Sequence, residues 1–488
     1  MDPYGLYIGG RWVGSRSGEI LESFSPTDGR LVGTCQKGNG EDLQRGIDAA
    51  REAFGSWKSY PAPRRGEILL RAASIMRRRK EELAATISLE MGKVVAEARG
   101  EVQEAVDFLE YMAGEGRRLL GITTPSELPG KICMTFRQPV GVVGCITPWN
   151  FPLAVPIWKI AAALICGNTV LFKPSSLTPI CAVRLVEVLE EAEVPPGVLN
   201  MVTGPVGAFL VEHPAVRCIS FTGGIEAGAD VYMRGAKSFK RVGLELGGKN
   251  PMIVLEDADL ELALEGALWG AFGTSGQRCT STSRLILQEG IYQEMVKSLL
   301  ERLERLRVGD PLDPATEMGP VASLEQQEKI LRYIQLGGRE GARLLCGGDK
   351  LREPLLDKGY FISPTVFEAR AEMRLAHEEI FGPVLSVIRV KDYQEAVRVA
   401  NQVDYGLSSS IYTRDVNLAF RAIQELEAGI TYVNAPTIGA EVHLPFGGVK
   451  RSGNGVREAG PTAIEEFTEI KTVFLDHSGR LQKAQLRE

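Results

Sequence analysis

Residues 140–174 read VGVVGCITPWNFPLAVPIWKIAAALICGNTVLFKP, and this stretch decides the fold. It opens with an apolar run at 140–146 and closes with a second one at 168–173. Between them lies a helical pattern at 157–166, which Gly167 ends. Unbroken apolar runs of this length are typical of strands buried on both faces, and such strands lie in parallel sheets with helical crossovers. The stretch therefore predicts a β-α-β unit.

The same alternation continues along the chain. A helical pattern at 178–192 and a strand pattern at 198–204 follow directly, and the alternation resumes after Pro251. A chain of 488 residues is also too long for one hydrophobic core. We therefore predict an α/β protein with at least two lobes that meet near residues 245–255.

Charge and hydropathy exclude several classes of protein. The net charge is −6, so the chain lacks the basic surface that nucleic acids bind. The longest apolar stretch, 152–172, is interrupted by Pro156, Lys159 and Asn168, which favours a buried core segment over a membrane span. The N-terminus shows no signal-peptide pattern. We expect a cytoplasmic protein that binds neither nucleic acid nor membrane.

Cysteine and histidine spacing argues against a metal site. The eight cysteines form no C-x-x-C pair, and the four histidines show no metal-ligand spacing. Most of the cysteines are therefore expected to be small buried side chains in a reducing compartment. We predict no metal.

The stretch GLELGGKN at 243–250 is one residue away from a nucleotide phosphate-binding loop. The Ser/Thr that binds magnesium in such a loop is replaced by Asn250, and Pro251 follows. A proline cannot lie inside the helix that a phosphate loop must enter. The next residues instead predict a strand, so a nucleoside-triphosphatase is disfavoured. The role of Glu245, a carboxylate between two leucines, stays open at this point.

Four loops follow predicted strands of the first lobe, at 146–152, 172–176, 202–207 and 220–224. Ligands bind at the carboxyl ends of parallel strands, so these loops can cradle a dinucleotide. However, the first turn lacks the G-x-G-x-x-G fingerprint. From the spacing alone, two alternatives stay open: the four loops bind a dinucleotide, or they are neighbouring loops that bind no dinucleotide.

Cys279 differs from the other cysteines in its surroundings. It lies in the loop GTSGQRCTSTSR, 273–284, among glycines, hydroxyl groups and Arg278. A polar environment with a neighbouring cation favours the thiolate, which is the nucleophilic form. The alternative is an incidental loop cysteine.

A resemblance brings these pieces together. The chain resembles the NAD(P)-dependent aldehyde dehydrogenase superfamily over nearly its whole length, in the order and spacing of several short motifs. The motifs are TPWNFP (147–152), FKPS (172–175), FTG (221–223), LELGGKNP (244–251), GQRCT (276–280), EEIFGPV (378–384) and PFGGVKRSG (445–453).

The resemblance implies a catalytic set of three residues. Cys279 attacks the aldehyde, and the side-chain amide of Asn150 with the backbone N–H of Cys279 stabilises the oxyanion. Hydride transfer then leaves a thioester, and Glu245 is the base that activates water to hydrolyse it. Relatives that release the acyl group to coenzyme A generally lack this base. A coenzyme A-acylating enzyme and a catalytically silent structural relative are the alternatives.

The resemblance also implies an NAD(P) site, with one departure. In the family a glutamate follows the serine of the K-P-S motif and binds the adenine ribose, but this chain has Ser176 there. Loss of that carboxylate leaves Lys173 free to pair with a 2′-phosphate, which favours NADP or dual use over strict NAD. The predicted cofactor-binding residues are Ile146, Thr147, Pro148, Trp149, Lys173, Ser175, Ser176, Gly207, Gly223, Gly224, Leu246, Glu379 and Phe381.

The substrate is less defined. Phe151, Trp158 and Phe446 match positions that line the aldehyde tunnel in relatives. Arg278 is either a receptor for an acidic substrate end or a residue that holds its own loop. The GQRCT stretch is similar to branches that act on semialdehydes of dicarboxylic acids, and alpha-ketoglutaric, aminoadipic and succinic semialdehydes are all open.

The fold implied by the resemblance has three parts. A Rossmann-type cofactor-binding domain spans 1–120 and 139–248, and an α/β catalytic domain spans 249–447. A β element for oligomerisation comprises 121–138 and 448–488. In relatives the C-terminal strand joins the sheet of a second subunit, so we expect a homodimer or homotetramer.

Overall fold

The computed structural model describes residues 2–354, 356–483 and 485. The predicted ranges 1–120, 249–447 and 448–488 each include residues outside that description, namely 1, 355, 484 and 486–488. The predicted α/β class is confirmed, because the described residues form two large sheets with helical crossovers.

The first lobe is built around the β-α-β stretch that the sequence predicts. In chain order its elements are β1 (Leu6–Ile8), β2 (Arg11–Val13), β3 (Ile20–Phe24), β4 (Leu31–Gln36), α1 (Gly40–Ser59), α2 (Ala62–Arg78), α3 (Lys80–Met91), α4 (Val95–Glu115), β5 (Thr123–Pro125), β6 (Lys131–Pro139), β7 (Val142–Ile146), α5 (Ala154–Ile165), β8 (Thr169–Lys173), α6 (Pro179–Glu191), β9 (Leu199–Met201), α7 (Gly207–Glu212), β10 (Val216–Thr222), α8 (Ile225–Ala236) and β11 (Arg241–Glu245).

Seven of these strands form the first sheet, in the order β11-β10-β7-β8-β9-β1-β2. The strands from β11 to β9 are parallel, and β1 and β2 add an antiparallel edge. Every residue of β7 is buried, as its apolar sequence predicts. From β7 the chain proceeds to one side through β8 and β9, and then returns to place β10 on the other side. This reversal creates a crevice at the carboxyl ends of β7 and β10, where such sheets bind ligands.

The second lobe repeats the alternation. Its elements are β12 (Asn250–Val254), α9 (Leu260–Phe272), β13 (Thr282–Gln288), α10 (Tyr292–Leu303), α11 (Leu324–Arg339), β14 (Arg343–Cys346), β15 (Thr365–Glu368), α12 (Arg374–His377), β16 (Val384–Val390), α13 (Tyr393–Asn401), β17 (Tyr405–Gly406), β18 (Ser408–Tyr412), α14 (Val416–Glu425) and β19 (Ile430–Val433). The final segment of the chain adds β20 (Val449–Lys450), α15 (Ala463–Glu466) and β21 (Thr468–Asp476). The second sheet has the order β14-β15-β16-β13-β12-β18-β19 and is parallel except at β14.

A third, antiparallel sheet joins distant parts of the chain. β21 pairs with β6 along nine residues, and β5 pairs with the other edge of β6. Two small sheets, β3-β4 and β17-β20, complete the strands. In the part of the chain that the structure describes, no helix is both long and apolar enough to cross a membrane.

The final segment of the chain returns to the first lobe and closes on it. Glu245, the last residue of β11, makes a bridge with Gly453, and the Leu246 N–H donates to the Ser452 carbonyl at 3.0 Å. The Ser452 hydroxyl donates in turn to the Gly247 carbonyl at 2.7 Å. Residues of the first lobe and of this returning segment therefore meet at the end of β11.

Candidate active site

The GLELGGKN stretch runs into a strand, as the sequence predicts, since β12 begins at Asn250. The Asn250 side chain has a structural task that the sequence did not reveal. Its Nδ2 donates to the Cys279 carbonyl at 2.8 Å and to the Ser281 carbonyl at 2.9 Å. Gly248 packs against the same carbonyl, because a Cβ at this position would lie 2.6 Å from the Cys279 oxygen. The glycine-lysine stretch thus holds the Cys279 loop in place.

The loop that carries Cys279 has an unusual backbone. Thr274 and Ser275 adopt positive φ angles of 53° and 55°, and Gly276 follows at 69°. A Cβ on Gly276 would lie 2.2 Å from the Gly382 carbonyl oxygen, so only glycine fits there. This tight turn places Cys279, partly buried, on the wall of a cavity.

The environment of Cys279 does not favour the thiolate, so the sequence-based expectation is wrong on this point. Burial raises the pKa of the Cys279 thiol to about 12, and the carboxylates of Glu379 and Glu245 add to that effect. The neighbouring cation, Arg278, is engaged by the Glu97 carboxylate at 3.1 Å. Cys279 is therefore a neutral thiol in the structure as it stands.

Asn150 lies directly behind the nucleophile loop. It is buried in the turn between β7 and α5, and its Nδ2 donates to the Gln277 carbonyl at 2.9 Å. A side-chain amide carries two N–H donors, so a second one remains for a substrate oxygen.

Glu245 is a buried carboxyl group at the end of β11. Its side chain is 3% exposed, and within the described residues neither carboxyl oxygen has a hydrogen-bond partner. Burial raises the pKa of Glu245 well above its usual value, and the carboxylate of Glu458 raises it further, while Lys159 opposes both. Glu245 and Cys279 line the same cavity.

A charged cluster behind Glu245 was missed by the sequence analysis. Lys159 forms an ion pair with Glu458 and also lies 3.1 Å from the Ser220 hydroxyl. Glu466 is buried nearby, and burial raises its pKa to about 7. One signal was present in the sequence, since a lysine in the apolar helix α5 needs a buried partner. Nothing in the sequence identified that partner as Glu458, which lies 299 residues further along.

The cavity that contains Cys279 and Glu245 has a volume of about 430 Å³. Its wall is mainly apolar and includes four aromatic side chains, with Trp158 packed edge-on against Phe446 at 5.2 Å. The structure brings all four predicted substrate residues to this wall, namely Phe151, Trp158, Arg278 and Phe446. It also adds three acidic residues of α4 that the sequence analysis missed: Glu97, Glu101 and Glu104.

Arg278 both lines the cavity and holds its loop. Its Nε donates to the Thr274 hydroxyl at 2.9 Å, and one terminal nitrogen donates to Glu97 at 3.1 Å. The guanidinium also lies 5.5 Å from the Phe151 ring centre and 5.9 Å from that of Trp269. A guanidinium has five N–H donors, so these contacts leave donors for a carboxylate in the cavity.

The predicted cofactor residues gather at the carboxyl edge of the first sheet. Ile146 ends β7, and Thr147, Pro148 and Trp149 follow it. Lys173 ends β8, with Ser175 and the exposed Ser176 just beyond it. Gly207 begins α7, while Gly223 and Gly224 connect β10 to α8. Leu246 follows β11 and packs on α8 at Gly228.

This edge fits the groups of a dinucleotide. Helix α8 begins at Ile225 without a side-chain cap, and a Cβ on Gly224 would meet no atom within 4 Å. Free N–H groups at the start of a helix, with open space before them, suit a pyrophosphate. The Thr222 hydroxyl is buried and has no partner among the residues described. Burial lowers the pKa of Lys173, and an anion beside it would compensate its charge.

Two predicted cofactor residues come from the second lobe. The Glu379 carboxylate accepts the Gly248 N–H at 3.0 Å, and its oxygens would lie within 2.4 Å of a Cβ on Gly247. Phe381 has a positive φ of 62° and packs edge-on against Trp149 at 5.5 Å. Residues of both lobes thus border the crevice at the end of β7.

Comparisons with known proteins agree with this arrangement. A family model described as the aldehyde dehydrogenase family matches residues 12–473. A protein of Bacillus subtilis (strain 168) named alpha-ketoglutaric semialdehyde dehydrogenase is 44% identical over 474 residues, which cover 96% of this chain and 97% of that protein. A protein of Haloferax volcanii named alpha-ketoglutarate semialdehyde dehydrogenase is 42% identical, with 97% of this chain and 99% of that protein covered.

A solved structure gives the same overall similarity. Betaine aldehyde dehydrogenase from Staphylococcus aureus, in complex with NAD+, matches this structure with a TM-score of 0.96 at 34% sequence identity. The match covers 99% of this chain and 97% of that chain.

Proposed function

The chain belongs to the aldehyde dehydrogenase family, and from that membership we propose that it oxidises an acidic semialdehyde to the free dicarboxylic acid. It is an NAD(P)-dependent enzyme that acts on small aldehydes. The observation that carries the proposal is one cavity in which a thiol, a buried carboxyl group and an arginine line the same wall: Cys279, Glu245 and Arg278.

The proposed reaction begins at Cys279. The thiol releases its proton to water as its sulfur adds to the aldehyde carbon, and the developing oxyanion accepts hydrogen bonds from the Asn150 amide and the Cys279 N–H. Bound NAD(P) supplies the hydride acceptor for the oxidation step. Cys279 then holds the acyl group as a thioester inside the aromatic cavity.

Hydrolysis of the thioester falls to Glu245. As a carboxylate it takes a proton from water, and the resulting attack on the thioester releases the acid and restores the thiol. Behind Glu245, the two members of an ion pair act on its pKa in opposite directions: Glu458 raises it and Lys159 lowers it. The presence of this buried carboxyl group in the cavity favours hydrolysis over transfer to coenzyme A.

Two observations support an acidic substrate. Both curated relatives are named for a semialdehyde that carries a carboxylate. The guanidinium of Arg278 lines the cavity, and its contacts with Glu97 and Thr274 leave N–H donors for that group.

For the cofactor, we propose that NADP is accepted at least as well as NAD. Ser176 is exposed next to the end of β8, at a position where a carboxylate would repel a 2′-phosphate. Lys173 lies at the end of the same strand, and within the described residues no acid forms an ion pair with it. A phosphate is a suitable partner for such a lysine.

We also propose a homodimer or homotetramer located in the cytoplasm, with domain limits at 1–120 and 139–248, 249–447, and 121–138 with 448–488. The third sheet supports oligomerisation because β21 lies at its edge and, among the described residues, is paired on one side only. The eight cysteines are all free, which suits a reducing compartment.

The test measures formation of reduced cofactor with a panel of aldehydes, each with NAD and with NADP. The panel contains succinic and alpha-ketoglutaric semialdehydes, butanal and benzaldehyde. We expect a higher kcat/KM for the semialdehydes and turnover with NADP. Ser176→Glu should lower kcat/KM for NADP by about tenfold or more through charge repulsion, while Ser176→Gln, of similar size without charge, should not. A preference for butanal or benzaldehyde with strict NAD use would contradict both proposals.

A further inference from the structure

Helix α4 presents three acidic side chains to the substrate cavity. Glu97, Glu101 and Glu104 are spaced by four and three residues, so they share one face of the helix. All three line the cavity, together with Phe151 and Trp158. An acidic helix face beside a site for an acidic substrate needs an explanation.

Two of the three carboxylates have partners of their own. Glu97 accepts from Arg278 and from both the N–H and the hydroxyl of Thr274. Glu101 pairs with Lys93 at 2.5 Å and also accepts the N–H groups of residues 153 and 154. Among the residues that the structure describes, Glu104 has neither a hydrogen-bond nor an ion-pair partner. Of these three carboxyl groups on α4, Glu104 is therefore the one whose two oxygens are both available to a ligand.

The groups that face Glu104 leave it without a counter-charge. On its own helix the nearest acids are Glu101 and Asp107, and from other elements Lys93 and Arg278 approach it. Both cations are already engaged by other carboxylates. Burial raises the pKa of Glu104 to about 7, and the charge of Glu101 adds to that effect.

We propose that Glu104 is a specificity residue that binds the acidic end of the substrate as a protonated carboxyl group, so that each acidic semialdehyde enters together with one proton. This inference rests on the proposed substrate class. The carboxyl group donates a hydrogen bond to the substrate carboxylate, alongside the donors of Arg278. A bond between an acid and a carboxylate is short and strong, because the acceptor is charged.

The inference predicts how the KM depends on pH. Ionised Glu104 repels the substrate carboxylate because both carry a negative charge. The fraction of enzyme with protonated Glu104, the form that binds the acidic substrate, therefore falls as the pH rises. Because one proton is bound with the substrate, the KM for an acidic semialdehyde rises about tenfold per pH unit above about pH 7. An uncharged aldehyde takes up no proton, and its KM does not show this slope.

The experiment compares Glu104→Gln with Glu110→Gln, a control that removes an exposed carboxylate of α4 that pairs with Arg77. The KM for succinic semialdehyde and for butanal is measured from about pH 6 to about pH 9 with saturating cofactor. We expect the slope for succinic semialdehyde in the wild type and in Glu110→Gln, and a flattened slope in Glu104→Gln. Butanal should show no such slope in any of the three.

A second measurement needs no variant. Calorimetric titration of the wild-type enzyme with glutarate, in two buffers of different ionisation enthalpy, reports the protons taken up on binding. Uptake of about one proton near pH 8 is expected, and no uptake would overturn the inference.

The outcomes separate the inference from the proposed function. If succinic semialdehyde is preferred but Glu104→Gln keeps the wild-type slope, the role of Glu104 is wrong and the substrate class stands. If butanal has the higher kcat/KM at every pH, the substrate class is wrong and the inference falls with it.

Discussion

At the scale of single residues, the two proposed catalytic side chains lie where burial opposes their charged forms. Burial raises the pKa of Cys279 to about 12 and also raises that of Glu245. Both are therefore biased toward their neutral forms. The carboxylates of Glu379 and Glu245 further oppose ionisation of the Cys279 thiol.

Replacement of Glu245 by glutamine should separate the two halves of the reaction. The thioester still forms, because that step needs Cys279 and Asn150, but water is no longer activated. We expect a burst of about one reduced cofactor per site, followed by a steady rate lower by about 10²–10⁴-fold. In the wild type the steady rate should fall as the pH drops through the raised pKa of Glu245, since the base is active only as a carboxylate. Stopped-flow absorbance measures both phases.

The control for this experiment is Cys279→Ala, which should show neither burst nor turnover yet still bind the cofactor. A Glu245→Gln enzyme with an unchanged steady rate would eliminate Glu245 as the base. Turnover that requires added coenzyme A would indicate acyl transfer in place of hydrolysis.

The sequence led to candidate residues but not to their environment. Cys279, Glu245 and Asn150 were selected through motifs that resemble the aldehyde dehydrogenase family, and their catalytic roles stay predictions. The ion pair of Lys159 with Glu458 joins residues 299 positions apart, and no local pattern reports such a contact. The direction of the Cys279 pKa was mispredicted for the same reason, because it is set by burial of the thiol and by the carboxylates of Glu379 and Glu245, which come from distant segments.

At the scale of elements, the joint between α4 and α5 holds the aromatic wall of the cavity. Glu101 on α4 accepts the N–H of Leu153 at 2.8 Å and that of Ala154 at 3.2 Å, at the start of α5. The same carboxylate pairs with buried Lys93, whose ammonium lies 3.5 Å from the centre of the Phe151 ring. One side chain therefore connects two helices and a tunnel residue.

Glu101→Ala should destabilise this joint strongly. It leaves the Lys93 charge buried without its partner and two backbone donors unsatisfied, which costs about 3–5 kcal/mol. We expect a clearly lower midpoint of thermal unfolding by calorimetry. Glu110→Ala, on the exposed side of the same helix, removes a surface ion pair with Arg77 and should leave the midpoint nearly unchanged. Equal midpoints for the two variants would show that Glu101 does not stabilise the joint.

At the scale of the whole molecule, the third sheet presents an apolar surface. On β21 the side chains of Ile470 and Phe474 are 64% and 67% exposed, and they lie on the same face of the strand. Within the part of the chain that the structure describes, no strand pairs with the other edge of β21. The sequence analysis grouped 121–138 and 448–488 into one β element only through the family resemblance. No local pattern predicts that β6 and β21 pair across more than 300 residues.

Phe474→Glu should weaken the proposed oligomer. A charge on this apolar face would be buried without a partner in the assembly, so association becomes unfavourable. Light scattering after size-exclusion chromatography should show a smaller species than for the wild type. Leu70→Glu, an exposed apolar position on α2, serves as the control and should keep the wild-type mass. An unchanged mass for Phe474→Glu would place the interface elsewhere.

The bridge between Glu245 and Gly453 has a consequence for how the protein is made in the cell. A ribosome releases the chain from its N-terminus, so β11 and the nucleophile loop emerge long before their partner segment. The carboxyl group of Glu245 stays open to water until the residues around Gly453 and Glu458 have left the exit tunnel and closed over it. A nascent chain that stalls before this point therefore carries every motif of the first lobe and the thiol of the second, yet it has no enclosed site in which to use them.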